Sequence, residues 1–213
     1  MTFDDLVTRT YDPQPIVWKG RYIDNWFSNF HAGAQPIQFS GLSFQTIEAA
    51  YQAAKWTDQA RRALFQNLDA SQSKKEGRRK FPPIRPDWEQ VAIAAMDNFV
   101  RQKFQPGTPE LERLMRMDVP PVEVNNWNDR RWGVEMDWTG KNALGLILSV
   151  IRWEYARTGM VLPGAEEPDW QQRQIELIPM LNRVGPAATR APRPIAAPPP
   201  PQPEEPTQAS FAL

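Results

Sequence analysis

Trp88, Val91, Ala92, Ala95, Met96, Phe99 and Val100 follow Arg85-Pro86-Asp87 at helical spacing, which commits this stretch to a long helix with one apolar stripe. Such a stripe has to be covered by other elements. A second long helix is predicted after Asn142, which reads as its N-cap, with Leu144, Ile147, Leu148, Ile151 and Tyr155 on one side. Thr46 reads as the cap of a helix from about Ile47 to Trp56, and Asp58 as the cap of the next, with Ala60, Leu64 and Phe65 apolar. Thr108-Pro109-Glu110 opens another, with proline at the first helical position and an acidic first turn.

Strand signals are short. Ile16-Val17-Trp18 is the first, after an irregular stretch over residues 1–15. Pro36-Ile37-Gln38-Phe39 and Leu42-Ser43-Phe44 flank Ser40-Gly41 and read as a hairpin. Val122-Glu123-Val124 reads as a short strand, and Asn125 to Lys141 as a long polar loop. Trp170 to Arg183 reads as one more helix, weakly amphipathic and interrupted by Pro179. From Pro186 to Pro206 nine of 21 residues are proline, a density that cannot pack a core. The chain therefore divides into a folded unit over 1–160, a helical extension over 161–185 and a proline-rich tail over 186–213.

Composition removes several chemistries. With no cysteine, there are no disulfides, thiolate nucleophiles or cysteine-held zinc or iron–sulfur centres. His31 is the single histidine, and no G-x-S-x-G elbow accompanies it. No metal and no cofactor is expected. The formal net charge is +0, unlike that of a protein that tracks a long phosphate backbone. The first residues lack a signal-peptide pattern, and no apolar run reaches the roughly 18 residues of a membrane span. A cytoplasmic protein with no membrane partner is expected; the sequence carries no signal for oligomeric state.

Three groups of residues are suited to chemistry. Glu48, Gln52 and Lys55 stand at i, i+4 and i+7, flanked by Tyr51, and put an acid, an amide and an amine on one helix face. The same spacing also describes an ordinary solvated face. Between Lys55 and Lys80 there are eight Lys or Arg against three Asp or Glu, an excess of five, centred on Lys74-Lys75-Glu76-Gly77-Arg78-Arg79-Lys80 and suited to a phosphate or pyrophosphate. The loop Asn125-Asn126-Trp127-Asn128-Asp129-Arg130-Arg131-Trp132-Gly133 mixes carboxamides, a carboxylate and indoles. Gly140-Lys141-Asn142 then enters a helix whose first amides can face an anion.

Phe27-Ser28-Asn29-Phe30, a hairpin, and Thr46-Ile47-Glu48-Ala49-Ala50-Tyr51-Gln52-Ala53-Ala54-Lys55-Trp56 resemble the opening signature of the NADAR (YbiA-like) family of N-glycosidases. The resemblance runs on through Gly77-Arg78, Arg85-Pro86-Asp87-Trp88, Phe104, Val122-Glu123, Asn128-Asp129, Trp132-Gly133 and Gly140-Lys141-Asn142-x-Leu144-Gly145, over about residues 20–157. The chain departs from the family at Val124-Asn125 and at Val134-Glu135-Met136-Asp137. The resemblance implies an α+β fold, mostly helical, with a small β-hairpin sheet packed against several helices. It implies hydrolysis of an N-ribosidic bond in a nucleotide-derived substrate, either ADP-ribose on guanine (free or in nucleic acid) or a phosphorylated riboflavin-pathway intermediate. Glu48 and Lys55 are the implied catalytic residues: Glu48 as a carboxylate or proton manager, Lys55 as an amine that forms a Schiff base. The implied substrate-binding residues are Asn29, Phe30, Tyr51, Gln52, Arg78, Trp88, Asp129, Trp132, Gly133 and Asn142. Trp88 serves equally well as a core residue on its stripe. A non-catalytic ADP-ribose or nucleotide reader on the same pocket is the alternative, and a scaffold that recruits partners through the proline tail is a third.

Because the tail has too few apolar side chains to offset its chain entropy, deleting residues 186–213 is expected to leave melting temperature and activity unchanged. Thermal melts and rates of the truncated chain check this; a large loss in either would mean that the tail docks on the domain.

Overall fold

The computed structural model describes residues 27–79, 81–117, 121–125, 127–135 and 139–184. The Ile16-Val17-Trp18 strand, Lys80, Asn126, the Met136-Asp137 departure and the proline tail lie outside them. The order of elements is β1 (Ile37–Phe39), β2 (Leu42–Phe44), α1 (Ile47–Ala53), α2 (Gln59–Ala63), a 3₁₀ turn (Leu64–Asn67), α3 (Ala70–Glu76), α4 (Trp88–Lys103), α5 (Pro109–Met115), α6 (Ala143–Thr158), a second 3₁₀ turn (Glu167–Asp169) and α7 (Trp170–Val184). The fold is the expected one, mostly helical with a small hairpin. β1 and β2 pair antiparallel, Ile37 against Phe44 and Phe39 against Leu42, around Ser40 and Gly41, which both have positive φ.

Thr46 caps α1 by accepting from the Ala49 amide at 3.1 Å. Every residue of α1 is buried. Ala49, Ala50, Ala53 and Ala54 are the small positions that let α3 and α4 close on it. The helix ends at Ala53, earlier than its apolar pattern suggests. The Lys55 amide tightens onto the Gln52 carbonyl at 3.3 Å, and the Lys55 carbonyl accepts from the Arg85 amide at 2.7 Å, so it is unavailable to a further helical turn. Lys55 therefore sits on the turn after α1.

The long helix α4 is more enclosed than a one-sided stripe requires. Besides the stripe residues it buries Ala94, Asp97, Asn98, Arg101 and Lys103. Arg101 pairs with Asp97 at 2.9 Å and with Glu154 of α6 at 2.6 Å, and Asp97 also accepts from Arg173 of α7 at 3.1 Å. Buried charges persist only when paired in this way. α7 covers the face of α4 that the stripe leaves open. Its Gln174 accepts from the Ile93 amide and donates to the Glu89 carbonyl, while Trp170 is fully buried against Phe39 and Phe99. Just upstream, Glu167 accepts from both Arg62 and Arg85 at 2.6 Å.

Val122-Glu123-Val124 does not form a strand. Only Val124 bridges to Val134, and Val134 to Gly140. The Glu123 amide is taken by the Asn142 side chain at 3.0 Å, so no ladder extends. Asn142 occupies the N-cap position of α6 but does not cap it. Its backbone is left-handed, and its carboxamide ties down the Pro121–Glu123 strap by also donating to the Pro121 carbonyl at 3.1 Å.

Replacing Trp170 with alanine is expected to destabilise the chain by about 3–5 kcal/mol, the usual range for a fully buried tryptophan. Urea denaturation of Trp170→Ala checks this; a change below about 1 kcal/mol would mean that the 161–184 segment adds little to the core.

Candidate active site

A cavity of about 280 Å³ opens where α1, α3, α4, α6, the Pro121–Val124 strap and the 127–132 loop meet. Glu48, Tyr51, Gln52 and Lys55 reach it from α1 and the turn after it; Asn29 and Phe30 come from the segment before the hairpin. Arg78 follows α3, Trp88 opens α4, and Asp129 and Trp132 come from the loop. Two residues expected to bind substrate do not line the cavity. Gly133 lies behind the wall, where a Cβ would stand 2.3 Å from the Glu123 carbonyl oxygen, and the side chain of Asn142 is occupied by the strap.

The anion site expected at the start of α6 is closed. The amides of Lys141, Asn142, Ala143 and Leu144 donate to the carbonyls of Arg130, Gly133, Arg131 and Trp132 at 2.8–3.2 Å. The first amides of the helix are thus satisfied by the loop itself. The same bonds fix the loop. Asp129 Oδ1 accepts from the Arg131 and Trp132 amides, Asn125 Oδ1 accepts from those of Trp127 and Asp129, and Arg131 pairs with Glu89 on α4.

Charge in the cavity is set by desolvation. Burial raises the Glu48 carboxyl above its usual value; a 2.8 Å hydrogen bond from Gln52 and the charges of Lys74 and Lys55 pull it back, and Asp129 pushes it up again. Burial lowers Lys55, which Glu48 opposes and Arg78 and Lys74 reinforce. Its ammonium donates to the Gly77 carbonyl at 3.2 Å and lies 6.0 Å from the ring centres of both Tyr51 and Trp88. A lysine depressed by burial and cationic neighbours supplies more free amine near neutral pH, the state that attacks carbon.

Trp88 belongs both to the hydrophobic core and to the cavity wall, so its two readings coincide. Trp88 and Trp132 pack on Tyr51 with ring centres 5.0 and 5.5 Å away. The aromatic group more open to solvent at the cavity is Trp127, 37% exposed, with the Lys74 ammonium between its ring and that of Phe30 at 5.4 and 5.2 Å.

The sequence places Lys74 in the basic cluster and Trp127 in the polar loop without assigning either a substrate-binding role, and it gives Glu123 none. Lys74 was hidden within a basic run, Trp127 within a turn-rich loop, and Glu123 within an apparent strand. Asn29 Oδ1, Gln52 Oε1 and Glu123 Oε2 are buried acceptors with no hydrogen-bond partner, all on cavity-lining side chains. Unpaired buried acceptors call for a ligand rich in donors, such as sugar hydroxyls or base N–H groups. Among the described residues no group of three or more His, Asp or Glu side chains is placed to hold a metal ion, and no helix is long and apolar enough to cross a membrane.

Residues 18–156 match the family model described as the NADAR domain. N-glycosidase YbiA of Escherichia coli K12 is 33% identical over 132 residues, covering 61% of this chain and 81% of that protein. A riboflavin biosynthesis protein of Vibrio vulnificus is 30% identical over 119 residues, 55% of this chain and 32% of that one. The NMR structure of E. coli YbiA superposes with a TM-score of 0.56 at 29% identity, covering 67% of this chain and 84% of that chain. Every cavity-lining residue falls inside the matched range, whereas α7 lies beyond it.

Gly77, at the end of α3, leaves no room for a side chain, since a Cβ there would stand 1.8 Å from Gln52 Oε1 of α1. Gly77→Ala is expected to lose about 1–3 kcal/mol through overpacking. Adding Gln52→Ala should recover part of that loss, so the double variant is less destabilised than the two single losses summed. Urea denaturation of the three variants checks it; strict additivity would show that the two positions do not clash.

Proposed function

Because the chain belongs to the NADAR domain family and is a hydrolase acting on N-glycosyl bonds, we propose that it cleaves the N-ribosidic bond of a nucleotide-derived substrate, with Lys55 as nucleophile and Glu48 as proton manager. The observation that carries this reading is the pairing of the two groups in one desolvated cavity, where the amine is lowered and the carboxyl raised. Lys55 attacks the anomeric carbon as a free amine while the bond to the base nitrogen breaks. The base leaves with that electron pair and takes up a proton, and Glu48 takes the proton the new C–N bond releases. The ribose ring opens to a Schiff base on Lys55, and water then hydrolyses it.

Two substrate classes fit: ADP-ribose joined to guanine, and a phosphorylated ribosylamine of the riboflavin pathway, the latter favoured by the name of the Vibrio relative. Arg78, on the cavity wall, is suited to a substrate phosphate through its planar fork. A free nucleotide derivative or an exposed modified base suits the cavity better than a base within intact duplex. The net charge is +0, and extruding a base from duplex costs a few kcal/mol.

Incubation with ADP-ribosylated guanosine should release ADP-ribose and guanosine, and incubation with the riboflavin intermediates should release ribose phosphate and the free pyrimidine, both detected by mass spectrometry. Borohydride added during turnover should leave a sugar-derived mass on Lys55, and Lys55→Ala should be folded and inactive. An active Lys55→Ala would exclude the Schiff base and move the chemistry to Glu48.

A further inference from the structure

We propose that Glu123 is a further catalytic residue, the acid that protonates the departing base; this rests on the N-glycosidase reading of the same cavity. Glu123 lies on the strap that lines the cavity, with its backbone held at both ends. Its amide donates to Asn142 Oδ1 at 3.0 Å, and its carbonyl accepts from the Val134 amide at 2.7 Å. Its carboxyl lines the cavity, yet Oε2 is buried and unpartnered. A structural carboxylate placed this deep would carry an arginine or several amides. This one faces Asp129 from the loop, Glu48 from α1 and a single cation, Lys74 from α3.

The two buried glutamates differ in surroundings. Burial raises Glu48 too, but it accepts a hydrogen bond from Gln52 and faces Lys74 and Lys55, which all act against that rise. Glu123 has no such hydrogen bond. Burial, with Asp129 and Glu48 adding, pushes its carboxyl up to about 7. Paired carboxyls in unlike surroundings can divide base and acid duties.

The reaction needs that second duty. When the bond between the anomeric carbon and the base nitrogen breaks, its electron pair stays on nitrogen, which must take up a proton as it leaves. The Glu123 carboxyl supplies that proton and becomes a carboxylate. The proton released by the attacking amine or water goes to Glu48. In the hydrolytic half the hydroxyl of water joins the carbon and its proton goes to Glu123, while Glu48 gives its proton back to the Lys55 nitrogen as the C–N bond to the sugar breaks. Both carboxyls are thus restored, and the net reaction consumes one water and yields free sugar and the neutral base bearing N–H.

Glu123→Gln keeps the shape and removes the transferable proton. On whichever probe the wild-type chain cleaves, ADP-ribosylated guanosine or the phosphorylated ribosylamine, kcat should fall about 10²- to 10⁴-fold with KM little changed, the span of general acid catalysis. The wild-type rate should decline as pH rises through about 7, because the acid must be protonated, and the variant should lack that limb. Carbon-13 NMR of the glutamate carboxyls should show a group titrating in that region that is absent from Glu123→Gln. A variant that keeps kcat within about threefold, or that is slow but retains the alkaline limb, overturns the proposal. So does a carboxyl spectrum with every glutamate in the ordinary range. Failure of the wild type to cleave either probe removes the N-glycosidase reading itself, a different result from a cleaving wild type with an unimpaired variant.

Discussion

The site depends on one constraint: α1 has no face on solvent. A helix buried on every side cannot place Glu48 and Gln52 in water, so their polar ends must meet an internal space, and the alanines between them bring α3 and α4 close enough to wall it. Desolvation does the rest. It raises an acid and lowers an amine within one cavity, the two shifts that proton transfer and nucleophilic attack near neutral pH require. The chemistry follows from packing more than from any special hydrogen bond.

The hairpin and the helices other than α3, which lies hidden within a basic run, were legible because their signals are local. The Thr46 cap, the turn at Ser40-Gly41 and the Trp88–Val100 stripe each act within a few residues, and each element formed where those signals place it. What was not legible depends on distant partners. Nothing near Lys55 reveals that Arg85 takes its carbonyl and ends α1 early. Nothing in the stripe reveals that α7 encloses the other side of α4.

The same distinction governs the site. Glu48, Gln52 and Lys55 were readable as a set because they share one short segment. Glu123 was not, since its neighbours Glu48, Lys74 and Asp129 come from three other parts of the chain. Asn142 was misread as a cap because an Asx residue before a helix usually is one. Here a left-handed backbone turns its carboxamide toward the strap instead, where it holds Glu123 in position.

The loop that closes on α6 has a consequence for how this protein can change. Four neighbouring carbonyls, Arg130 to Gly133, are matched to four successive amides, Lys141 to Leu144. An inserted or deleted residue within either run would shift that register and leave buried polar groups unpaired. New specificity is therefore open to substitution of the side chains that project from this frame, Trp127 and Trp132 among them, and closed to the loop-length variation by which many enzyme families diversify.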